Sequence, residues 1–226
     1  IGYKNATISA AYDDALYNDN IQAGLCETGE SQYTLICVGS GRMADWSELN
    51  YVPWNPYVAN ITAVHLAVGI NNIGACAFEA LPITSIDLPT SLGDMTGVNP
   101  FGQRCFSSSS LESISLLGFN KLAPLMLANC QSLTSVEFDE NLTTIPWGIC
   151  ANCRNLPSVD IPASVTTIQY DAFETCPALT SITGGEGITT MPNPGFDTGA
   201  FYVYTDEPIS TTIGSEASDV LYDNYV

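Results

Sequence analysis

The pair Cys150-x-x-Cys153 has the spacing of a zinc or redox motif. A zinc site would need a second pair of ligands held tetrahedrally, and a redox site would need thioredoxin-like βαβ surroundings. The repeat pattern described below accounts for both cysteines as core positions instead. We therefore expect no metal site and no cofactor.

Three cysteines, Cys130, Cys153 and Cys176, recur every 23 residues. In stacked coils of that length their Cα atoms would be about 4.4–6.8 Å apart, the range that a disulfide spans. Parallel side chains on adjacent coils rarely satisfy the disulfide dihedral angle, however. We interpret the three as a structural column of buried free thiols, with a disulfide as the alternative.

The single histidine, His65, could in principle form a catalytic relay with Asp87 and Ser115. A triad requires the three side chains to converge, whereas neighbouring strands would place them side by side. Gly39-Ser40-Gly41 is only a G-x-G turn and lacks the helix that a phosphate loop requires. We therefore expect a protein that is not an enzyme.

The charge is strongly negative, with 24 acidic and five basic residues and a net charge of −19. Such a surface repels phosphate, which argues against nucleic acid and anionic lipid as partners. We interpret the charge as that of a solvated acidic surface, with attraction for a basic partner or for calcium as the alternative. Asp13-Asp14, Asp139-Glu140 and Asp206-Glu207 could contribute calcium ligands, but none lies in a recognisable calcium loop. No apolar run approaches the roughly 18 residues of a membrane span. The chain starts at Ile1, so we expect any signal peptide to have been removed.

The sequence repeats, most clearly where residues 133–155 match residues 156–178. Such a period predicts a solenoid. Each repeat opens with an apolar-x-x-apolar-x-apolar strand, and an insertion lengthens the second repeat. The strands begin at Ile61, Ile83, Leu111, Leu133, Leu156 and Leu179.

Each repeat has two further apolar features after its strand. The first is a pair of apolar residues three apart, such as Leu142 and Ile145, and the second is a third anchor. Six or seven buried side chains at ~1.5–3 kcal/mol each cannot offset the backbone entropy of one repeat at ~1–2 kcal/mol per residue, so coils must stack to fold. The third anchors are Phe78, Phe106, Leu127, Cys150 and Phe173, with Phe196 as a further candidate.

These features predict about six right-handed coils whose strands form one parallel sheet, capped at both ends. Turns and short extended pieces are expected opposite the sheet, because helix formers are few there. We assign 1–60 to an N-terminal non-repeat cap, 61–196 to the array and 197–226 to a C-terminal acidic cap. Within the first cap, residues 9–25 weakly favour a helix or an irregular segment.

The repeats resemble the BspA-like (Treponema pallidum type) leucine-rich repeat family. The resemblance rests on the Leu-Pro-Ser-Val-Asp-Ile-Pro and Val-Thr-Thr-Ile steps of residues 156–168, on the Ala-Phe-x-x-Cys element of 171–176, and on Ile-Gly-x-x-Ala-Phe at 73–78. It covers about residues 33 to 200. The repeats at 83–110 and 111–132 depart from it, the first through its insertion and the second at Lys121–Pro124.

The resemblance implies a leucine-rich-repeat solenoid of the α/β horseshoe class, strand-rich with little helix. It also implies a secreted or cell-surface protein of bacteria or some protozoa, associated with adhesion to host or matrix proteins, and it implies no catalytic residues. We therefore predict an extracellular or surface-displayed interaction module. A structural spacer or display stalk within a larger surface protein is the alternative.

Polar residues between the apolar strand positions would point to the concave face, the usual binding surface of a solenoid. Small hydroxyl side chains there suit hydrogen bonds to a peptide or glycan, and carboxylates favour a basic partner. The ligand is therefore predicted to be a protein or a glycan. The candidate ligand-binding residues are His65, Asp87, Glu112, Ser115, Glu137, Asp160 and Thr183.

Overall fold

A computed structural model of the chain describes residues 3–4, 21–93 and 99–190. The elements within these ranges are short strands and two short 3-10 helices, Leu49–Tyr51 and Asn55–Asn60. The strands are β1 (Tyr3–Lys4), β2 (Gln22–Gly29), β3 (Gln32–Val38), β4 (Gly41–Arg42), β5 (Ile61–Leu66), β6 (Ile70–Asn72), β7 (Ser113–Ser115), β8 (Ser135–Glu137), β9 (Thr144–Ile145), β10 (Ser158–Ile161), β11 (Thr167–Ile168) and β12 (Ser181–Gly184).

The coils stack in parallel with the period that the sequence predicts. Strand β7 pairs with β8 so that Ile114 faces Val136, and β10 pairs with β12 so that Val159 faces Ile182. These four side chains are buried. The strand-rich fold with almost no helix is therefore confirmed, since the described residues contain no α-helix.

The single continuous sheet expected from the sequence is not what the described residues form. Their strands are distributed over one four-stranded sheet, β1-β2-β3-β5, and four separate parallel pairs. Between β8 and β10 the break has an identifiable cause. The Thr134 amide donates to the Glu112 carbonyl of the preceding coil at 2.9 Å, and Pro157 occupies the equivalent position one coil later. Because proline has no N–H, this bond cannot form there.

The stack also extends to the N-terminal side of residue 61. Strand β3 is parallel to β5, with Leu35 opposite Val64, and β4 is parallel to β6. Strand β2 joins β3 as an antiparallel hairpin. Residues 22–29 are thus strand, where the sequence weakly favours helix or irregular structure up to residue 25. The boundary at residue 60 stays a prediction. The candidate anchor Phe196, the end of the array at 196 and the C-terminal cap at 197–226 lie outside the described residues.

Turns on the convex side connect the coils by backbone hydrogen bonds at the third anchors. The Phe78 amide donates to the Cys105 carbonyl at 2.8 Å, and Leu127 bonds Ile149 in the same way at 2.8 Å. Two residues before and after most anchors the backbone is left-handed, as at Asn152 with a φ of 60°. A helix cannot contain such residues, which explains why the convex side is built from turns.

The third anchors of the first coils form a buried aromatic stack. Phe78 lies between Trp54 and Phe106, with ring centroids 6.1 Å and 5.9 Å away and planes within 30°. The Trp54 indole N–H donates to the Ala77 carbonyl at 2.9 Å. The Ala77 carbonyl directly precedes the anchor Phe78, as the Cys105 carbonyl directly precedes the anchor Phe106. The indole of Trp54 therefore makes the hydrogen bond between coils that a backbone amide makes in later coils.

Candidate ligand-binding face

The concave face is formed by the exposed residues of the short strands. In β8 the pattern is exposed Ser135, buried Val136 and exposed Glu137, because successive side chains of a strand point to opposite sides. Five of the seven predicted residues lie in these strands, and Asp87 and Glu112 lie outside them. Thr183 is half-buried, and the others are exposed: His65, Asp87, Glu112, Ser115, Glu137 and Asp160.

Hydroxyl groups hold two carboxylates of this face in place. The Ser115 Oγ donates to Glu137 Oε2 at 2.7 Å, and the Thr183 Oγ1 donates to Asp160 Oδ1 at 2.6 Å. Both bonds join residues directly opposite each other on paired strands. The structure thus joins four of the seven predicted residues in two hydroxyl–carboxylate pairs, a feature that the sequence alone does not reveal.

The candidate residues nearest the N-terminus, His65 and Asp87, do not form such hydroxyl–carboxylate pairs among the hydrogen bonds of the described residues. His65 lies opposite Ile36 of β3, and Asp87 lies outside the regular strands. Ser115 is paired with Glu137 on the other side. His65, Asp87 and Ser115 therefore lie on three successive coils, and the absence of a catalytic relay stays a prediction.

The structural column of cysteines lies in the core. All three residues are buried free thiols, and each Sγ donates to a third-anchor carbonyl of the preceding coil. The acceptors are Phe106 for Cys130 at 3.2 Å, Leu127 for Cys153 at 3.1 Å and Cys150 for Cys176 at 3.1 Å. Burial raises the pKa of Cys130 and of Cys176 to about 12, so both thiols keep the proton that they donate.

Cys150 belongs to this core arrangement as well. A hydrogen bond with Cys153 and burial together raise the pKa of the Cys150 thiol well above its usual value. Such a thiol keeps its proton at neutral pH and is therefore a poor nucleophile, because nucleophilic attack requires the thiolate. Among the described residues no group of three His, Cys, Asp or Glu side chains is placed to hold a metal ion.

Asp139 stabilises a turn beside the face. Its carboxylate accepts the backbone N–H of Gly118 at 2.6 Å and that of Asn141 at 2.9 Å. The amides of Asn141 and Gly118 lower the pKa of Asp139 below its ordinary 3.8. This explains one of the three acidic pairs named above; the other two lie outside the described residues.

Replacing Asp139 by asparagine should therefore reduce stability in a pH-dependent way. A lowered pKa in the folded state means that the charged carboxylate stabilises the protein above pH ~4 and loses this effect as pH falls through the folded value. We expect the difference in unfolding free energy between wild type and Asp139→Asn to be larger at pH 7 than at pH 2.5. Urea unfolding at both values measures it, and a difference that does not change with pH would contradict the assignment.

An aromatic pair on the flank of the array was missed at the sequence level. Trp147 and Tyr170 follow β9 and β11 and stack with centroids 5.4 Å apart and planes within 14°. Tyr170 is 51% exposed, and Trp147 is half-buried. Their common offset, three residues before the third anchors Cys150 and Phe173, is the signal that could have revealed the pair.

A coil with parallel strands on one side and turns on the other defines a leucine-rich-repeat protein. The family model described as "BspA type Leucine rich repeat region" matches residues 57–180 in six copies, more than half of the chain. The chain therefore belongs to this family, and the resemblance stated above is confirmed. The leucine-rich-repeat fold is typical of protein-interaction modules rather than enzymes.

Solved structures of bacterial proteins show similarity over most of the chain. The pneumococcal vaccine antigen PcpA is 17% identical, with 75% of this chain and 49% of that chain covered and a TM-score of 0.51. A leucine-rich repeat protein from Bacteroides ovatus is 16% identical, with 80% and 55% covered and a TM-score of 0.49. The chain thus spans about half the length of these two structures. The likeness to PcpA concerns the fold alone.

No curated protein matches the sequence significantly. Within the described residues, no helix has the length and apolar character needed to cross a membrane.

Proposed function

We propose that this chain is a secreted or surface-displayed adhesion module whose concave face binds a basic patch of a host or matrix protein. The observation that carries the proposal is a series of exposed carboxylates on successive coils, namely Asp87, Glu112, Glu137 and Asp160. The extracellular location is what membership of the family favours. A glycan lying across the hydroxyl groups is the other ligand that this face could accept.

Charge and geometry both support a basic protein partner. The net charge of −19 attracts cationic surfaces at long range, which raises association rates at low salt. The hydrogen bonds from Ser115 and Thr183 hold two of the carboxylates before binding. Carboxylates that are already ordered lose less entropy when a lysine or arginine side chain binds them.

A structural spacer is the second candidate function, and the same hydrogen bonds give it some support. Ser115 with Glu137 and Thr183 with Asp160 each connect two adjacent coils, as expected of a face that serves to hold the stack together. A spacer would bind no ligand at this face. Replacing all four exposed carboxylates by their amides would therefore change no binding.

A charge-neutralised variant tests the proposal. Asp87→Asn, Glu112→Gln, Glu137→Gln and Asp160→Asn together change the net charge from −19 to −15. The probe is an array of purified matrix proteins and glycans, read by surface plasmon resonance at low and physiological salt. We expect a basic protein to bind the wild type and to lose about 10- to 100-fold in affinity with this variant.

The matched control neutralises four exposed acids elsewhere, Glu27, Glu30, Glu48 and Glu140, each to glutamine. It carries the same net charge of −15, so any loss of affinity that it shows measures the effect of the overall charge rather than of the concave face. Equal losses in both variants would contradict the concave site. Failure of the wild type to bind any array member would favour the spacer.

A further inference from the structure

The aromatic pair Trp147 and Tyr170 exposes ring surface that the core does not require. Rings in face-to-face contact are about 3.5 Å apart, so a centroid distance of 5.4 Å with nearly parallel planes means that the two rings are offset. An offset pair forms a step in which each ring leaves part of a face uncovered. The stack at Trp54 and Phe78 is buried by contrast, so this pair differs from the aromatic packing of the interior.

The backbone under the step is fixed. Strands β9 and β11 pair in parallel just before the two aromatic residues, with Ile145 opposite Ile168. Gln169 adds a connection, because its side-chain Oε1 accepts the Trp147 backbone N–H at 2.9 Å. Rigid aromatic side chains on a fixed backbone lose little conformational entropy on binding, which is a property of interface anchors.

Exposed threonines and an amide lie close in sequence to both rings, and one half-buried carboxylate, Asp171, directly follows Tyr170. Thr143, Thr166 and Thr189 are exposed at equivalent positions of three coils. The Thr166 Oγ1 donates to the Thr143 carbonyl at 3.3 Å, and the Thr189 Oγ1 donates to the Thr166 carbonyl at 3.2 Å. These oxygens keep lone pairs that can accept a ligand hydroxyl, and the Gln169 Nε2 group is a donor.

From this combination we propose that the Trp147–Tyr170 step is a carbohydrate-binding site for neutral oligosaccharides, separate from the concave face. The C–H faces of a pyranose ring pack on aromatic rings, and its hydroxyl groups bond with threonine hydroxyls and amides. The net charge of −19 disfavours anionic glycans and nucleic acids. A proline-rich peptide would need a groove between aromatic side chains, whereas these two rings stack on each other.

Isothermal titration calorimetry of the full chain against neutral hexasaccharides tests the proposal. The probes are hexamers of β-linked glucose, N-acetylglucosamine, xylose and mannose and of α-linked glucose. We expect at least one to bind, and Tyr170→Ala to weaken it by about 30-fold or more while Tyr170→Phe retains most of the affinity. Saturation-transfer NMR should show the strongest signals at ring C–H protons of the bound sugar.

Tyr51→Ala is the matched control, since Tyr51 is 65% exposed and lies far from the step in sequence. It should bind as the wild type does. The variant with four neutralised concave carboxylates should also keep carbohydrate binding, which separates this site from the proposed function. Absence of binding to all five hexamers, unchanged binding by a folded Tyr170→Ala, or tighter binding of a proline-rich peptide would overturn the proposal.

Discussion

Phe78→Ala is expected to lower the free energy of unfolding by about 3–5 kcal/mol, the range for removing a fully buried phenylalanine. Phe78 is completely buried between Trp54 and Phe106, which belong to the preceding and following coils. The cavity would therefore remove contacts on both sides at once. Because each coil is stabilised mainly by its neighbours, we expect the coils on the N-terminal side to lose order first.

Urea unfolding followed by tryptophan fluorescence and by circular dichroism measures this effect. Fluorescence reports on the three tryptophans, of which Trp54 stacks directly on Phe78 and Trp46 packs against Trp54, while circular dichroism reports on the whole array. Val68→Ala is the control, because Val68 is 79% exposed and its truncation should change stability by no more than about 0.5 kcal/mol. Equal stability of the Phe78 and Val68 variants would show that the aromatic stack does not hold these coils together.

Gly74→Ala is the second change with a large expected effect. A Cβ atom at Gly74 would lie 1.7 Å from the carbonyl oxygen of Ala44 in the preceding coil, so the backbone of one coil must move. We expect a loss of about 3 kcal/mol or more, at or above the upper end of the usual cost of overpacking. The glycine is thus required by the close approach of two coils.

Gly24→Ala gives a matched control for this substitution. Gly24 lies in β2, and a Cβ atom there would have no neighbour within 4 Å. Alanine at an open strand position should leave stability unchanged or raise it slightly, since glycine loses more backbone freedom on folding. Thermal unfolding midpoints of the two variants compare the effects, and similar midpoints would refute the close approach at Gly74.

Several features of the fold could be predicted because they depend on residues that recur. Leu133 and Leu156, or Cys153 and Cys176, occupy equivalent positions in successive coils, and their burial follows from the period alone. The same logic placed Glu137 and Asp160 on the exposed side of their strands. That these residues bind a ligand stays a prediction.

Other features required knowledge of which groups meet between coils. Pro157 visibly lacks an N–H, but only the register of the two coils shows that the missing hydrogen bond falls between β8 and β10. The hydrogen bonds from Ser115 to Glu137 and from Thr183 to Asp160 likewise depend on side-chain rotamers and on strand register, since a slip of one residue would move each partner to the other face.

The sequence by itself determined that this chain is a stack of leucine-rich repeats with an acidic surface, because apolar periodicity and charge are local properties of the residues. Only the tertiary structure decided that β3 pairs with β5 and extends the stack to the N-terminal side of residue 61. It also decided that the Trp54 indole makes the first of the hydrogen bonds between coils on the convex side, and that Trp147 stacks on Tyr170. These three outcomes depend on contacts between residues 23 to 29 positions apart, whose geometry is set by how the coils lie against one another.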